Sequence, residues 1–267
     1  MDAMTTALVT GGTRGIGLGI AHSLARAGYD LVLGYNANED AARAAAKELE
    51  EQHGRKVVCV GGDIAAKETM TKLFDAVREH FGGELQAFVH SAGLYVGVTT
   101  GASPEQPPPF GEDFEPVWDY YQRVYPRAFK RGLDAALACK GLRHVVAISS
   151  PGCNLSQPVQ PSYEAPGQAK TAVEFLARHY GLVLAEQGVN VNVVVPGFTK
   201  TEAWEKVIEV DPNMSREALE GWMLAANPSK RWAEPSEIGD VVAFLCSAQG
   251  RMITGVSLPV DGGLHLK

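Results

Sequence analysis

Short apolar runs alternate with longer stretches of helical periodicity along the 267-residue chain. Ala7–Thr10, Leu31–Leu33, Val57–Val60, Ala87–His90, Val145–Ser149, Val191–Val195 and Val256–Val260 read as strands. Most are continuous in hydrophobicity rather than alternating, as expected of parallel strands covered on both faces. Between them, Gly15–Ala27, Glu39–His53, Lys67–Phe81, Gln168–Gln187 and Pro235–Ser247 carry helical composition and spacing, and Asn38 is placed to cap the second helix. The alternation predicts a single α/β domain over 1–267: a doubly wound, Rossmann-type parallel sheet of about seven strands with helices on both faces. In such a sheet, ligands gather at the carboxyl ends of the strands.

Two segments interrupt the rhythm. Residues 98–116 hold Pro104, Pro107, Pro108 and Pro109 and read as a Pro-rich surface loop. Residues 199–230 follow a strand end and carry Trp204, Met214, Trp222 and Met223. This stretch reads either as an amphipathic helical excursion packed on the body or as a substrate lid.

Composition narrows the function classes. A 45% hydrophobic, 21% charged chain supports a large core. A net charge of −7 with no basic stripe argues against nucleic acid as a partner. No apolar run reaches the roughly 18 residues of a membrane span, and the first residues lack the basic-then-apolar pattern of a secretory signal. Cys59, Cys139, Cys153 and Cys246 are scattered without metal-ligand spacing, so no metal site is expected and a reduced, cytoplasmic protein is the simplest reading. Cys59 and Cys246 sit in apolar segments and read as core.

The first strand runs into Thr10-Gly11-Gly12-Thr13-Arg14-Gly15-Ile16-Gly17. A glycine turn between a strand and a helix lets backbone approach a pyrophosphate, which the helix N-terminus attracts with free N–H groups and its dipole. Dinucleotide binding is therefore expected. The acidic residue that would bond the ribose hydroxyls of NAD is missing at the end of the second strand, where Tyr35 stands, and Asp30 reads as the residue that opens the strand. Arg14 can reach a 2′-phosphate through a charge-assisted bond, with Asn36 and Asn38 as neutral donors. NADPH is thus expected in preference to NADH.

A hydroxyl, a phenol and an ammonium follow in order as Ser150, Tyr163 and Lys170. A free phenol, with a pKa of about 10, is a poor acid near neutrality. A nearby ammonium favours the phenolate and lowers that pKa. The Tyr-to-Lys gap is seven positions, with Gly167 at the fourth. On a helix, steps of four and seven residues both return to within about 40° of the same face, and they advance about 6 Å and about 10.5 Å along the axis. Pro166 fits only a first helical turn, which places Tyr163 on the lead-in segment.

The Gly-x-x-x-Gly-x-Gly spacing resembles the fingerprint of the short-chain dehydrogenase/reductase family, and other motifs follow in family order. Asp63-Ile64 resembles the adenine-contacting pair, and Ser91-Ala92-Gly93 resembles an Asn-Ala-Gly turn with Ser in place of Asn. The Pro196-Gly197-x-x-x-Thr201 segment, with Thr199 inside it, resembles the one that holds the nicotinamide carboxamide. Val260-Asp261-Gly262-Gly263 resembles the C-terminal signature. The resemblance implies an oxidoreductase in which Tyr163 donates a proton, Lys170 tunes it and holds the ribose, and Ser150, 13 positions before Tyr163, orients a small-molecule substrate. It also implies a homo-oligomer, tetramer or dimer. The Tyr-x6-Lys spacing resembles the enoyl-acyl-carrier-protein reductase branch, whereas Ser150 is a feature of carbonyl reductases, so C=O and activated C=C reduction both stay open. So does a third reading, a nucleotide-binding regulatory protein without turnover, which Gly167, Tyr125 and Ser91 motivate. Tyr125 stands where the family's helix Asn is expected and reads as packing more than as a second phenol. His90 reads as a satisfied strand-end histidine.

Overall fold

The computed structural model describes residues 5–93, 115–154, 157–159, 163–204 and 215–267. Among these, seven strands form one parallel sheet: β1 (Thr6–Thr10), β2 (Asp30–Tyr35), β3 (Val57–Gly61), β4 (Ala87–His90), β5 (His144–Ile148), β6 (Asn190–Pro196) and β7 (Ser257–Val260). Their order is 3-2-1-4-5-6-7, with every pairing parallel. The doubly wound arrangement and the strand positions read from the sequence both hold. Asp30 opens β2 as expected, and its Oδ1 accepts from Lys56 N at 2.9 Å.

Alternate residues of each central strand serve opposite faces, which is why these strands read as unbroken apolar runs. Leu8, Val32, Phe88, Val145 and Val193 face α3 (Lys67–Phe81), α5 (Ala128–Leu137) and α6 (Glu164–Val183). Ala7, Val9, Leu31, Leu33, Val89 and Val146 face α1 (Gly15–Arg26), α2 (Glu39–His53) and α8 (Pro235–Leu245). Every residue of β1 and β6 is buried, whereas the sheet-edge strands β3 and β7 are only half-buried. Helices α1 and α8 cross backbone to backbone: a Cβ on Gly19 would lie 2.4 Å from Pro235 O, and one on Gly239 would lie 2.3 Å from Gly19 O. Asn38 caps α2 as predicted, its side chain accepting from Ala41 N at 2.9 Å.

The structure corrects three boundaries. The helix expected over Gln168–Gln187 begins at Glu164 and ends at Val183, with a separate turn at Ala185–Gln187. The Pro-rich loop falls mostly outside the described residues, but its last residues, Glu115 and Pro116, open helix α4 (Glu115–Gln122). Helix α4 continues through a π-helical turn, Arg123–Arg127, into α5. Sequence periodicity did not single out this stretch because Pro116, Pro126 and Gly132 are poor helix formers, and a wide turn breaks the 3.6-residue register. The Trp-bearing excursion contains helix α7 (Arg216–Ala226), capped by Ser215, while residues 205–214 of the expected lid lie outside the described residues.

Strand order reverses between β1 and β4. That switch point opens a crevice beyond the strands' carboxyl ends.

Candidate active site

The crevice is a cleft of about 560 Å³, the size of a cofactor site. It gathers Gly11, Thr13, Arg14, Gly15, Ile16 and Gly17 from the β1–α1 turn and Tyr35 and Asn36 from the end of β2. Asp63 and Ile64 from beyond β3, Ser91, Ala92 and Gly93 from beyond β4, and Thr201 complete the set. Thus residues from five separate segments of the sequence meet on one surface. Pro196, Gly197 and Thr199 lie off its lining. Pro196 ends β6, Gly197 N donates to Val260 O at 3.0 Å, and the buried Thr199 hydroxyl donates to Gly197 O at 3.0 Å.

The turn accepts only glycine at two places. A Cβ on Gly17 would lie 1.9 Å from Gly11 O, and one on Gly11, whose φ is +66°, would lie 2.8 Å from Ala92 Cα. Gly17 therefore lets α1 fold back onto the turn itself rather than onto the strand. The backbone cradle at the head of α1 fits a pyrophosphate, because bare N–H groups and the helix dipole converge there. Arg14 stands at the N-cap of α1, exposed, its guanidinium without a hydrogen bond or ion pair among the described residues. The acidic side chains on the cleft wall are Asp63, whose Oδ1 accepts from Ala65 N at 2.9 Å, and Glu202. Neither lies at the end of β2.

Thr10, which opens the glycine-turn motif, also organises the turn after β4, a role the sequence did not indicate. Its Oγ1 accepts from Ser91 N and Ala92 N, both at 3.1 Å, so its own proton goes to His90 Nδ1 at 3.1 Å. His90 is then the Nε2–H tautomer, donating to Val124 O at 3.0 Å, and burial holds its pKa down to about 4. It is the satisfied strand-end histidine expected.

One strand over, at the end of β5, Ser150 and Tyr163 meet, and Lys170 reaches the last carbonyl of the strand. Tyr163 Oη donates to Ser150 Oγ at 2.9 Å. Tyr163 is the N-cap residue of α6, outside the helix, and its carbonyl accepts from Gly167 N at 2.7 Å. Pro166 occupies the first turn of α6, as its missing N–H requires. Lys170 is buried rather than solvated, 7% exposed; its Nζ donates to Ile148 O at 3.2 Å and lies 4.6 Å from the centre of the Tyr125 ring. Burial lowers its pKa to about 8, while Cys153 and Glu174 act in the other direction.

The loop carrying Ser150 is fastened to α6 by a buried carboxylate. Glu174 accepts from Ser149 Oγ at 2.5 Å and Asn154 Nδ2 at 3.1 Å, and Ser257 Oγ reaches it from β7 at 2.6 Å. Thr171 Oγ1 adds a bond to Cys153 O at 2.8 Å. Burial pushes the Cys153 thiol pKa up, so it is held as a neutral packing group.

A family model described as Enoyl-(Acyl carrier protein) reductase matches residues 11–265. The chain belongs to the short-chain dehydrogenase/reductase family. It is an NAD(P)-dependent reductase of that family, as its glycine turn and sheet order led us to expect. It is 31% identical over 262 residues to a hydroxynaphthalene reductase-like protein, Arp2, of Metarhizium anisopliae, covering 96% of this chain and 93% of that one. It is 28% identical over 263 residues to the 3-oxoacyl-[acyl-carrier-protein] reductase FabG of Staphylococcus epidermidis, covering 98% and 99%. The crystal structure of the angucycline C-6 ketoreductase LanV with bound NADP superposes with a TM-score of 0.81 at 28% identity, covering 100% of this chain and 98% of that one. Ser91 lines the cleft, and Tyr125 faces Lys170. Among the described residues, no helix is long and apolar enough to cross a membrane, and no cluster of three or more potential metal ligands is present.

Proposed function

We propose that this protein is an NADPH-dependent carbonyl reductase acting on a small organic or thioester-linked ketone. The observation that carries the proposal is the 2.9 Å bond between Tyr163 Oη and Ser150 Oγ. Two hydroxyls at that distance can both donate to a single oxygen placed between them. A carbonyl oxygen needs both as negative charge grows on it during hydride addition. Bound nicotinamide supplies the hydride. Tyr163 delivers the proton to the alkoxide oxygen, Ser150 orients that oxygen, and the buried Lys170 ammonium favours the phenolate that remains. Glu174 keeps the serine loop against α6, so that Ser150 and Lys170 hold their relative positions.

Arg14 supports NADPH as the cofactor. It is an exposed guanidinium at the head of α1 with no competing partner among the described residues, on a cleft without a carboxylate at the end of β2. The exposed apolar side chains Phe175, Leu182 and Val183 on α6 support the expected homo-oligomer.

Enoyl-thioester reduction is a second reading, favoured by the seven-position gap and by Tyr163 standing outside the helix. A panel of acetoacetyl and crotonyl thioesters with simple ketones, followed by NADPH absorbance, separates the two. Turnover of the 3-oxo and ketone substrates, falling at least about 100-fold in Tyr163→Phe with NADPH affinity retained, supports carbonyl reduction. Turnover of crotonyl thioester alone overturns it.

A further inference from the structure

The buried ammonium of Lys170 lies between a backbone carbonyl and an aromatic face. It carries three N–H donors, and among the described residues it meets one hydrogen-bond acceptor, Ile148 O. Burial at this depth ordinarily calls for a carboxylate in contact or for several oxygens. The nearby carboxylate, Glu174, is occupied by Ser149, Asn154 and Ser257. What the ammonium meets instead is the face of Tyr125, with Nζ 4.6 Å from the ring centre, well inside cation–π range.

That ring is held firmly. Tyr125 is 3% exposed and stacks on Tyr121 with centroids 5.7 Å apart and planes within 7° of parallel. It lies in the π-helical turn, and Pro126 follows it. Its far edge abuts the cofactor-side turn: a Cβ on Gly93 would lie 2.9 Å from Tyr125 Oη and 3.2 Å from its Cε1. The glycine at 93 and the tyrosine at 125 therefore fit each other as a pair. One side chain spans the space between the Ser91–Gly93 turn and the catalytic lysine.

We propose that Tyr125 is a positioning residue whose ring face lies against the Lys170 ammonium, fixing its place and keeping it charged. The groups that act on Lys170 are Glu174 from α6, Cys153 from the β5 loop, His90 from β4 and Tyr125 from the π turn. Of these, Tyr125 presents a negative π surface without a formal charge. The inference rests on the role given to Lys170 above.

The test uses the full-length protein with position 125 changed from Tyr to Leu, to Phe, and to 4-fluoro-, 3,5-difluoro- and 3,4,5-trifluorophenylalanine. Fluorine drains the π face while keeping the shape, so this series folds even where Tyr125→Leu leaves a cavity. Two readouts are taken from pH 6 to 10: kcat on the best ketone and NADPH affinity by fluorescence. We expect Tyr125→Leu to move the alkaline limb of both readouts down by about one pH unit and Phe to rescue it. The fluorinated residues should then lower the limb stepwise from the Phe value, with kcat at pH 8.5 falling at least about threefold at the trifluoro step. A limb that stays put across the fluorine series overturns the proposal, as does a Phe variant as impaired as Leu, which would assign the role to the phenol oxygen. If no ketone is turned over, the pH profile of NADPH affinity decides by itself, so failure of the reductase reading and failure of this one are told apart.

Discussion

Replacing Lys170 with methionine tests whether the site stores a buried charge at the expense of the fold. Lys170 is 7% exposed, and burial lowers its pKa from the ordinary 10.5 to about 8. At about 1.36 kcal/mol per tenfold, that difference makes the native-state ammonium cost about 3 kcal/mol at pH 7. Between pH 8 and 10.5 the unfolded chain binds more protons than the native one. Stability therefore rises with pH through that window, and the cost falls to about 1 kcal/mol by about pH 10. A methionine side chain would fill the same channel without charge. It would forfeit the bond to Ile148 O, worth about 1 kcal/mol. The net expectation is a protein about 2 kcal/mol more stable than wild type at pH 7, near parity at about pH 10, and inactive at both. Urea unfolding at fixed protomer concentration at the two pH values measures the difference directly. A Lys170→Met protein no more stable than wild type at neutral pH, or one whose gain is the same at both pH values, refutes the reasoning.

Other expectations follow from the cofactor cleft. Arg14→Ala should weaken NADPH binding by roughly tenfold or more while leaving NADH binding almost untouched, because the residue's proposed partner is the 2′-phosphate. Isothermal titration with both nucleotides checks this, and equal losses for the two would count against it. Gly17→Ala places a methyl group 1.9 Å from Gly11 O. It should abolish binding of either nucleotide and lower the thermal midpoint, whereas Ala at Gly54, where a Cβ would meet nothing within 4 Å, should keep binding and lose only what its φ of +62° costs, about 1 kcal/mol.

Much of this was legible because the chemistry is carried by local signals. A glycine turn between a strand and a helix needs only neighbouring residues, and continuous apolar runs announce buried parallel strands. The switch point followed once strands and helices alternated. Long-range packing was not legible. Lys170 was expected to tune Tyr163 and hold the ribose; its burial depends on how α6 lies against β5 and the π turn. Tyr125 read as packing, and it does pack, but the ring also faces the ammonium from 45 positions away. Glu174 carried no motif, and Thr10, though it opens the glycine-turn motif, gave no sign of the β4 turn it binds; their hydrogen bonds join segments that only the fold brings together. Helix α6 begins at Glu164, four residues before its periodic pattern, with Pro166 in the first turn and Tyr163 outside it, as Pro166 had indicated.

The central claim is that Tyr163 serves the oxygen of the same carbonyl whose carbon receives hydride. A crystal structure with NADP bound tests it through one distance, from Tyr163 Oη to nicotinamide C4. Hydride transfer needs about 3–3.5 Å between C4 and the acceptor carbon, and the proton donor must lie about 2.6–3.2 Å from the attached oxygen. Carbonyl reduction therefore predicts a separation of about 4–5 Å, with Ser150 Oγ still beside the phenol. A separation of about 7 Å or more, with the phenol turned away from Ser150, would contradict the account and place the proton donor at a more distant oxygen.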